Sequence, residues 1–567
     1  MRFLLLALIG LAATPAHAKD AGALTLSLAP QDGDGDGVIE AIAVKIEIDS
    51  APDGFRLATV ANNVVTSADD ITQLRFERRG HTLASSTSEE EPDGSNSVRR
   101  WSVAAGATSL SLSYRVALDP AREEFALPQY ELRTGPYGFS GAGNAFLILP
   151  DDDLPRTVEL HWDLTGLGGG VEAASSLGIG DATSLRPLRS GQLASSYFMA
   201  GSPGLYRDDG FFGAWQGELG FAGAELMRWA ARLHHFYGAF FEQVPDSFGV
   251  FGRTNTLNPG SGIGLTDSFA FTFDRESEED DLKSLLAHEM LHAWVNSLDD
   301  TMDAPNGLGS SWFGEGLAVH YQRLLPWRAG LIDNEAFLAD LNETAGRYYT
   351  NALIGTPNAE IPGGFWRDTR IRVLPYDRGS LYFAKVDADI LAASGGARSL
   401  DDIVRAMLAE RRVGRPMNLD LWKSLLKGEL SEGGLREFEA MLAGATVLPP
   451  ADAFGGCLTR VQKPMRRFDL GFDPEVLVSP ERIVHGLKPG SSAEAAGLRD
   501  GDRILNRFPQ DAMQGDQEAT LTLQLERGEE RFAITYLPRG EAVPTYQWEI
   551  RAEAQDVGNC ASAARSR

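Results

Sequence analysis

The sequence predicts a multidomain chain: an all-β, sandwich-like part, then a mainly α part, then a smaller β-rich part. Three observations carry that expectation. At 567 residues the chain exceeds what one hydrophobic core serves. Its apolar pattern changes period twice, from about two to about 3.6 and back. Glycine- and proline-rich passages, "GLGGGVEAASSLGIGDA" and "VLPPADAFGG", stand near the two changes.

The β part is expected over residues 19–185. Runs such as "ALTLSLAP", "AIAVKIEID", "TSLSLSYRVAL" and "TVELHWDL" alternate apolar and polar residues between turn signals, as strands with one buried face do. Ahead of it, "MRFLLLALIGLAATPAHA" has an Arg, an apolar run and a small-x-small end, the pattern of a signal peptide over residues 1–18. Its apolar run is too short to span a bilayer, and no other segment supplies the roughly 20 apolar residues a spanning helix needs. The mature chain is therefore expected to be exported, periplasmic or secreted, with no membrane span. A formal charge of −27 argues against a nucleic-acid partner, since phosphates are bound through clustered Lys and Arg.

Within the β part, "DGDGDGVIE" puts Asp32, Asp34 and Asp36 at positions 1, 3 and 5 of a calcium-loop template. Position 12, normally Glu, is Ala43. The stretch reads either as a non-standard calcium loop or as a solvated acidic turn.

The mainly α part is expected over residues 186–450. It contains "LLAHEMLHAWVN", with His288 and His292 four apart and Glu289 between them. On a helix, positions i and i+4 share a face with Cβ atoms roughly 6 Å apart, so two imidazoles can converge on one ion. Glu289 is turned about 100° from His288, free to sit beside a metal-bound water without coordinating. The acidic "ESEEDD" ahead of this helix suits its N-terminal dipole end. A catalytic zinc needs a third protein ligand. "SSWFGEGLAVHY" offers Glu315 on a second predicted helix, where Gly314 and Gly316 permit a close helix approach. In "LPYDRGSLYFAKVDADILAASGG", Tyr376 follows a Pro at a helix start, where a phenol can reach a developing oxyanion.

The order H-E-x-x-H, W-F-x-E-G, Y-x-R-G resembles the gluzincin zinc metallopeptidases, and within them the glycyl aminopeptidase family with a C-terminal PDZ domain. The segments carrying the likeness are "AHEMLHAWVN", "WFGEGLAVHY" and "YDRG…SGGARSLDDIVRAML". The resemblance implies a thermolysin-like catalytic domain holding one zinc ion on His288, His292 and Glu315. It also implies Glu289 as general base, Tyr376 as oxyanion donor, and peptides with small N-terminal residues as substrates. Zinc endopeptidase action is the alternative within this fold; a PDZ peptide binder with a vestigial zinc site is the alternative outside enzymes. The family's G-G-L-E-H-like strand motif, whose glutamate resembles the amine-holding residue of aminopeptidases, is here "GSGIGLTDS". Gly264, Leu265, Thr266 and Asp267 therefore become the candidate substrate-binding residues, with Asp267 as the available carboxylate.

The last part, residues 451–567, contains "DLGFD" and "VSPERIVHGLKPGSSAEAAGLRDGDRIL", which resemble a PDZ domain. In that fold backbone N–H groups take a peptide C-terminus and the peptide adds as a strand. Cys457 and Cys560, the only two cysteines, bracket this module and are expected either to bridge or to stay free thiols.

Overall fold

A computed structural model describes residues 22–554 and Cys560, apart from 62, 91–95, 105, 107, 123, 125–130, 296, 297 and 299–306. The expected signal peptide lies outside the described residues. The chain forms two compact units, Met1–Arg228 with Pro245–Asp281, and Trp229–Val244 with Leu282–Arg567. That division falls elsewhere than the expected boundaries at 185 and 450.

The first unit is built from strands, as the period-two runs require. In Ala23–Gln31 every second residue is buried, so Leu24, Leu26 and Leu28 face the core while Thr25 and Ser27 do not. This strand pairs antiparallel with Ala41–Ile48 and parallel with Thr157–Trp162 inside a seven-stranded sheet. A second sheet carries Gly54–Ala61 and Ser97–Val103, and the inward side chains of both sheets, among them Ile46, Phe55, Trp101 and Leu112, join in one apolar core. A further five-stranded sheet runs Gly204–Asp208, Phe211–Gln216, Phe248–Thr254, Ser268–Phe273, Gly262–Leu265. These five strands, which fall within the expected residues 186–450, lie by contact in the first unit.

The second unit is mainly helical. Its long elements are α1 (Gly223–Phe240, from Trp229 on), α2 (Glu279–Leu291, from Leu282 on), α3 (Gly307–Ala329), α4 (Asn334–Thr350), α5 (Leu374–Ser394), α6 (Leu400–Arg412) and α7 (Leu419–Leu442). Three acidic residues, Glu279, Asp280 and Asp281, occupy the first turn of α2, where the helix dipole favours negative charge. Helices α3 and α5 cross at two glycines. A Cβ on Gly316 would stand 2.7 Å from the Gly379 Cα, and one on Gly379 would stand 2.5 Å from the Trp312 carbonyl oxygen. Only glycine at both positions permits that approach. Around the crossing Trp312 packs on Phe383, with ring centroids 5.8 Å apart, and on Phe438.

The C-terminal part is not a separate unit. Its two-stranded ribbon, Leu458–Phe468 with Arg539–Ile550, docks on α4, where Asn342 donates to the Trp548 carbonyl and accepts from the Trp548 N–H at 2.8 and 2.7 Å. Beyond it lie a three-stranded sheet and two short helices around Leu470, Phe472, Leu521 and Leu523. After "DLGFD" the chain turns into a 3-10 helix at Pro474–Leu477. Cys457 and Cys560 are both buried and are free thiols, hydrogen-bonded to each other without a bridge. Burial and the neighbouring Cys457 push the Cys560 thiol up to about 12.

The glycine crossing gives a contrast measurable by urea denaturation. Gly379→Ala is expected to destabilise the chain by about 1–3 kcal/mol through overpacking. Gly428→Ala, in α7 with nothing within 4 Å of its added Cβ, is expected to stabilise it by roughly 0.5–1 kcal/mol.

Candidate metal centre

Helix α2 ends at Leu291, and His292 continues it by one tight turn, its N–H donating to the Glu289 carbonyl at 3.2 Å. The chain thus keeps the His288–His292 face although the regular helix stops between them. The two imidazole Nε2 atoms are 3.3 Å apart. Glu315, buried on α3, brings its Oε2 to 3.2 Å from His288 Nε2 and 3.7 Å from His292 Nε2. A tetrahedral ion with bonds of roughly 2.0–2.2 Å separates its ligand atoms by roughly 3.3–3.5 Å. Three neutral or anionic donors at that spacing fit such an ion, and all three ligand atoms lie within 4.8 Å of one another.

The far sides of both rings fix their direction. His292 Nδ1 faces the Val295 carbonyl at 3.1 Å, which can only accept, so Nδ1 carries the proton and Nε2 keeps its lone pair. His288 Nδ1 lies 2.8 Å from Gln322 Oε1. Gln322 Nε2 in turn donates to Asp340 Oδ2 at 2.8 Å, and Asp340 pairs with the buried Arg323 at 2.6 Å. Sequence reasoning missed Gln322. Its signal was available, since it follows Glu315 by seven residues and so shares that face of α3.

Electrostatics show what the donor set prefers. Burial works against charge on His288, but Glu315, as hydrogen-bond partner and as anion, with Glu289 beside it, raises its pKa to about 9. Burial pushes the Glu315 carboxyl up, and His292 and His288 more than offset it, holding the carboxylate below its ordinary range. Without a cation this cluster attracts a proton; a divalent ion replaces it with more charge at the same place.

Tyr376 stands in the first turn of α5, next to Pro375, and its ring lies nearly parallel to that of His288 with centroids 6.2 Å apart. Burial first, then the charges of Glu315 and Glu289, raise its phenol well above the ordinary range, so the hydroxyl stays a donor at neutral pH. A cavity of about 260 Å³ runs beside His288, Tyr376 and Gln322. The structure thus brings His288, His292, Glu315 and Tyr376 together, and Glu289 acts electrostatically on both His288 and Tyr376.

The other sequence candidates lie in the first unit. Gly264 and Leu265 end one strand of a hairpin, and Thr266 and Asp267 form its tip. The Thr266 hydroxyl donates to the Gln192 carbonyl at 2.8 Å. Asp267, with φ at +50°, is held by Arg186 through two bonds of 2.6 and 2.9 Å. Asp267 is the carboxylate the sequence offers to an amine; in the structure the Arg186 guanidinium is paired with it. Asp32, Asp34 and Asp36 do converge, but in a turn between two strands, where they accept backbone N–H groups of Gly35, Gly37, Asp36 and Val38.

Residues 281–355 match the family described as M61 glycyl aminopeptidase. That span holds His288, Glu289, His292, Glu315 and Gln322. The chain is a metallopeptidase. No curated protein matches it. Among solved structures, an aminopeptidase N family protein from Idiomarina loihiensis shares its fold, with a TM-score of 0.64 and 15% identity over 93% of this chain and 98% of that one. An M1 zinc metallopeptidase from Deinococcus radiodurans aligns with a TM-score of 0.42 and 15% identity over 76% of this chain and 95% of that one. Native LTA4 hydrolase of yeast aligns with a TM-score of 0.43 and 9% identity over 76% of this chain and 68% of that one.

Gln322 gives the metallopeptidase a direct test by chelator competition. Gln322→Ala is expected to weaken divalent-cation binding by about 10–100-fold, because His288 loses its orienting partner. His288→Ala is expected to remove binding altogether.

Proposed function

We propose that this metallopeptidase is an exported zinc peptidase that cleaves peptides or unfolded protein. The observation that carries the reading is the convergence of His288 Nε2, His292 Nε2 and Glu315 Oε2 at tetrahedral spacing, with Glu289 next to His288 in the chain. His288, His292 and Glu315 would hold zinc, which when bound would supply a water with its pKa lowered towards about 7 and a Lewis acid for the scissile carbonyl. Glu289 takes the proton of the attacking water on its carboxylate and passes it to the nitrogen of the leaving amine. Tyr376 donates its phenolic hydrogen to the oxyanion that develops on the carbonyl. Gln322 and Val295 keep both imidazoles aimed.

Aminopeptidase action on small N-terminal residues is supported by the match to the M61 glycyl aminopeptidase family. The Asp267–Arg186 pair favours a second reading, endopeptidase action, in which no substrate amine has to be held. The C-terminal module, read from sequence as PDZ-like, supports positioning more than peptide capture. Its short helix Gln510–Gly515 is tied to the segment just before α5, with Asp511 pairing Arg372 at 2.8 Å and Gln514 donating to Thr369 at 3.1 Å. A peptide binder with a vestigial zinc site is disfavoured, since Glu289 and Tyr376, the residues the mechanism requires, are both present in the sequence. Export rests on the pattern of the first eighteen residues. Calcium at Asp32, Asp34 and Asp36 rests on convergence alone and has no part in the chemistry proposed.

The zinc-loaded protein should hydrolyse glycyl or alanyl anilides, and Glu289→Gln should lower kcat by about 10²–10⁴ while still binding zinc. Tyr376→Phe should lower kcat by about 10²–10³ with KM little changed. Undiminished turnover by Glu289→Gln would contradict the mechanism. Cleavage of N-acetylated peptides in preference to free amino-terminal ones would decide for endopeptidase action.

A further inference from the structure

On the opposite side of α3 from its metal ligand lies a second cavity, of about 910 Å³. His320, which lines it, follows Glu315 by five residues and is turned about 140° around the helix from it. The two sites therefore use different faces of one helix. The volume falls within the range of roughly 300–1,000 Å³ usual for small-molecule sites. Phe236 and Phe240 of α1, Leu324 and Trp327 of α3, and Phe454 supply apolar wall.

The polar groups in this wall are unevenly satisfied. Five Asp line it against two Arg, which excludes an anionic ligand on charge. Asp401 is fully engaged, its Oδ1 accepting from the Tyr321 hydroxyl at 2.9 Å and its Oδ2 pairing Arg328 at 2.7 Å. Buried Asp387, on α5, accepts only the Leu400 N–H, at 2.9 Å, and has no ion pair of its own among the described residues. Burial and then the neighbouring Asp401 push its carboxyl up to about 6, and Arg328, already paired with Asp401, offsets them only in part. His320 is 2% exposed and its Nε2 has no hydrogen-bond partner. Burial, with Arg323 and Arg328 nearby, keeps that imidazole neutral. A buried nitrogen left unpaired carries a cost of about 1–3 kcal/mol that a bound polar atom would relieve.

We propose that this cavity is a binding site for an amphipathic amine, distinct from the peptidase centre. The ammonium group pairs with Asp387, a second polar atom of the ligand meets His320 Nε2, and the apolar body lies against Trp327, Phe236 and Phe454. Aromatic walls add cation–π attraction to the ion pair. An alcohol of the same shape lacks the charge Asp387 needs, and a carboxylate is repelled by it.

The zinc-loaded full chain, titrated calorimetrically with 3-phenylpropylamine, 3-phenylpropan-1-ol and 3-phenylpropanoate, tests this. The amine is expected to bind at least about tenfold tighter than either analogue. Asp387→Asn should weaken the amine about tenfold while hydrolysis of a glycyl anilide stays unchanged. Ala388→Trp, which fills the cavity from α5, should abolish binding, and it decides the matter if Asp387→Asn does not fold. Equal affinity for amine and alcohol, no binding of the amine at millimolar concentration, or amine binding that survives Ala388→Trp would overturn the proposal.

Discussion

The site depends on how closely α3 and α5 approach. Gly316 and Gly379 face each other with no room for a Cβ on either. Each glycine adjoins the chemistry: Gly316 follows Glu315, and Gly379 lies one turn beyond Tyr376. Any side chain at the crossing would hold the helices apart and draw the carboxylate and the phenol away from His288. The entropic cost of glycine within two helices, roughly 0.5–1 kcal/mol at each, is thus a cost of positioning. Trp312, Phe383 and Phe438 surround the crossing and restore apolar contact that the glycines cannot make.

Once the helices meet, the donor set follows from burial. Glu315 is a carboxylate in an apolar setting, and a buried anion needs a compensating positive charge. Two imidazoles alone provide it by taking up a proton, as the raised pKa of His288 indicates. A divalent cation provides more of it, and the hydrogen bonds at Nδ1 of each ring leave both Nε2 atoms free to receive it. The chain Gln322–Asp340–Arg323 then extends the arrangement into α4, so the ligand geometry is braced by buried charge well away from the ion.

What was legible in the sequence was what is local. His288, Glu289 and His292 lie on one helix, and helical period alone places their faces. Glu315 and Tyr376 were legible because each sits beside a glycine or proline that marks how its helix meets a neighbour. Gln322 was open to the same reasoning but carries no chemistry of its own. The pairing of Asp267 with Arg186 was not legible, because it joins residues far apart in the chain through a hairpin tip at positive φ. Nor was the 3-10 turn at Pro474, which no period or motif in the sequence marks. The alternation in 19–185 gave a β-rich part, yet the division into units depended on strand pairing and on the docking of the C-terminal ribbon on α4, neither of which has a sequence period.

The central claim is that one zinc ion sits where α2 and α3 meet. Anomalous diffraction at the zinc edge from crystals of the full chain tests it most directly. The account predicts one strong peak within roughly 2.0–2.2 Å of His288 Nε2, His292 Nε2 and a Glu315 carboxylate oxygen. A zinc peak elsewhere, or none at these three residues in zinc-saturated protein, would contradict it.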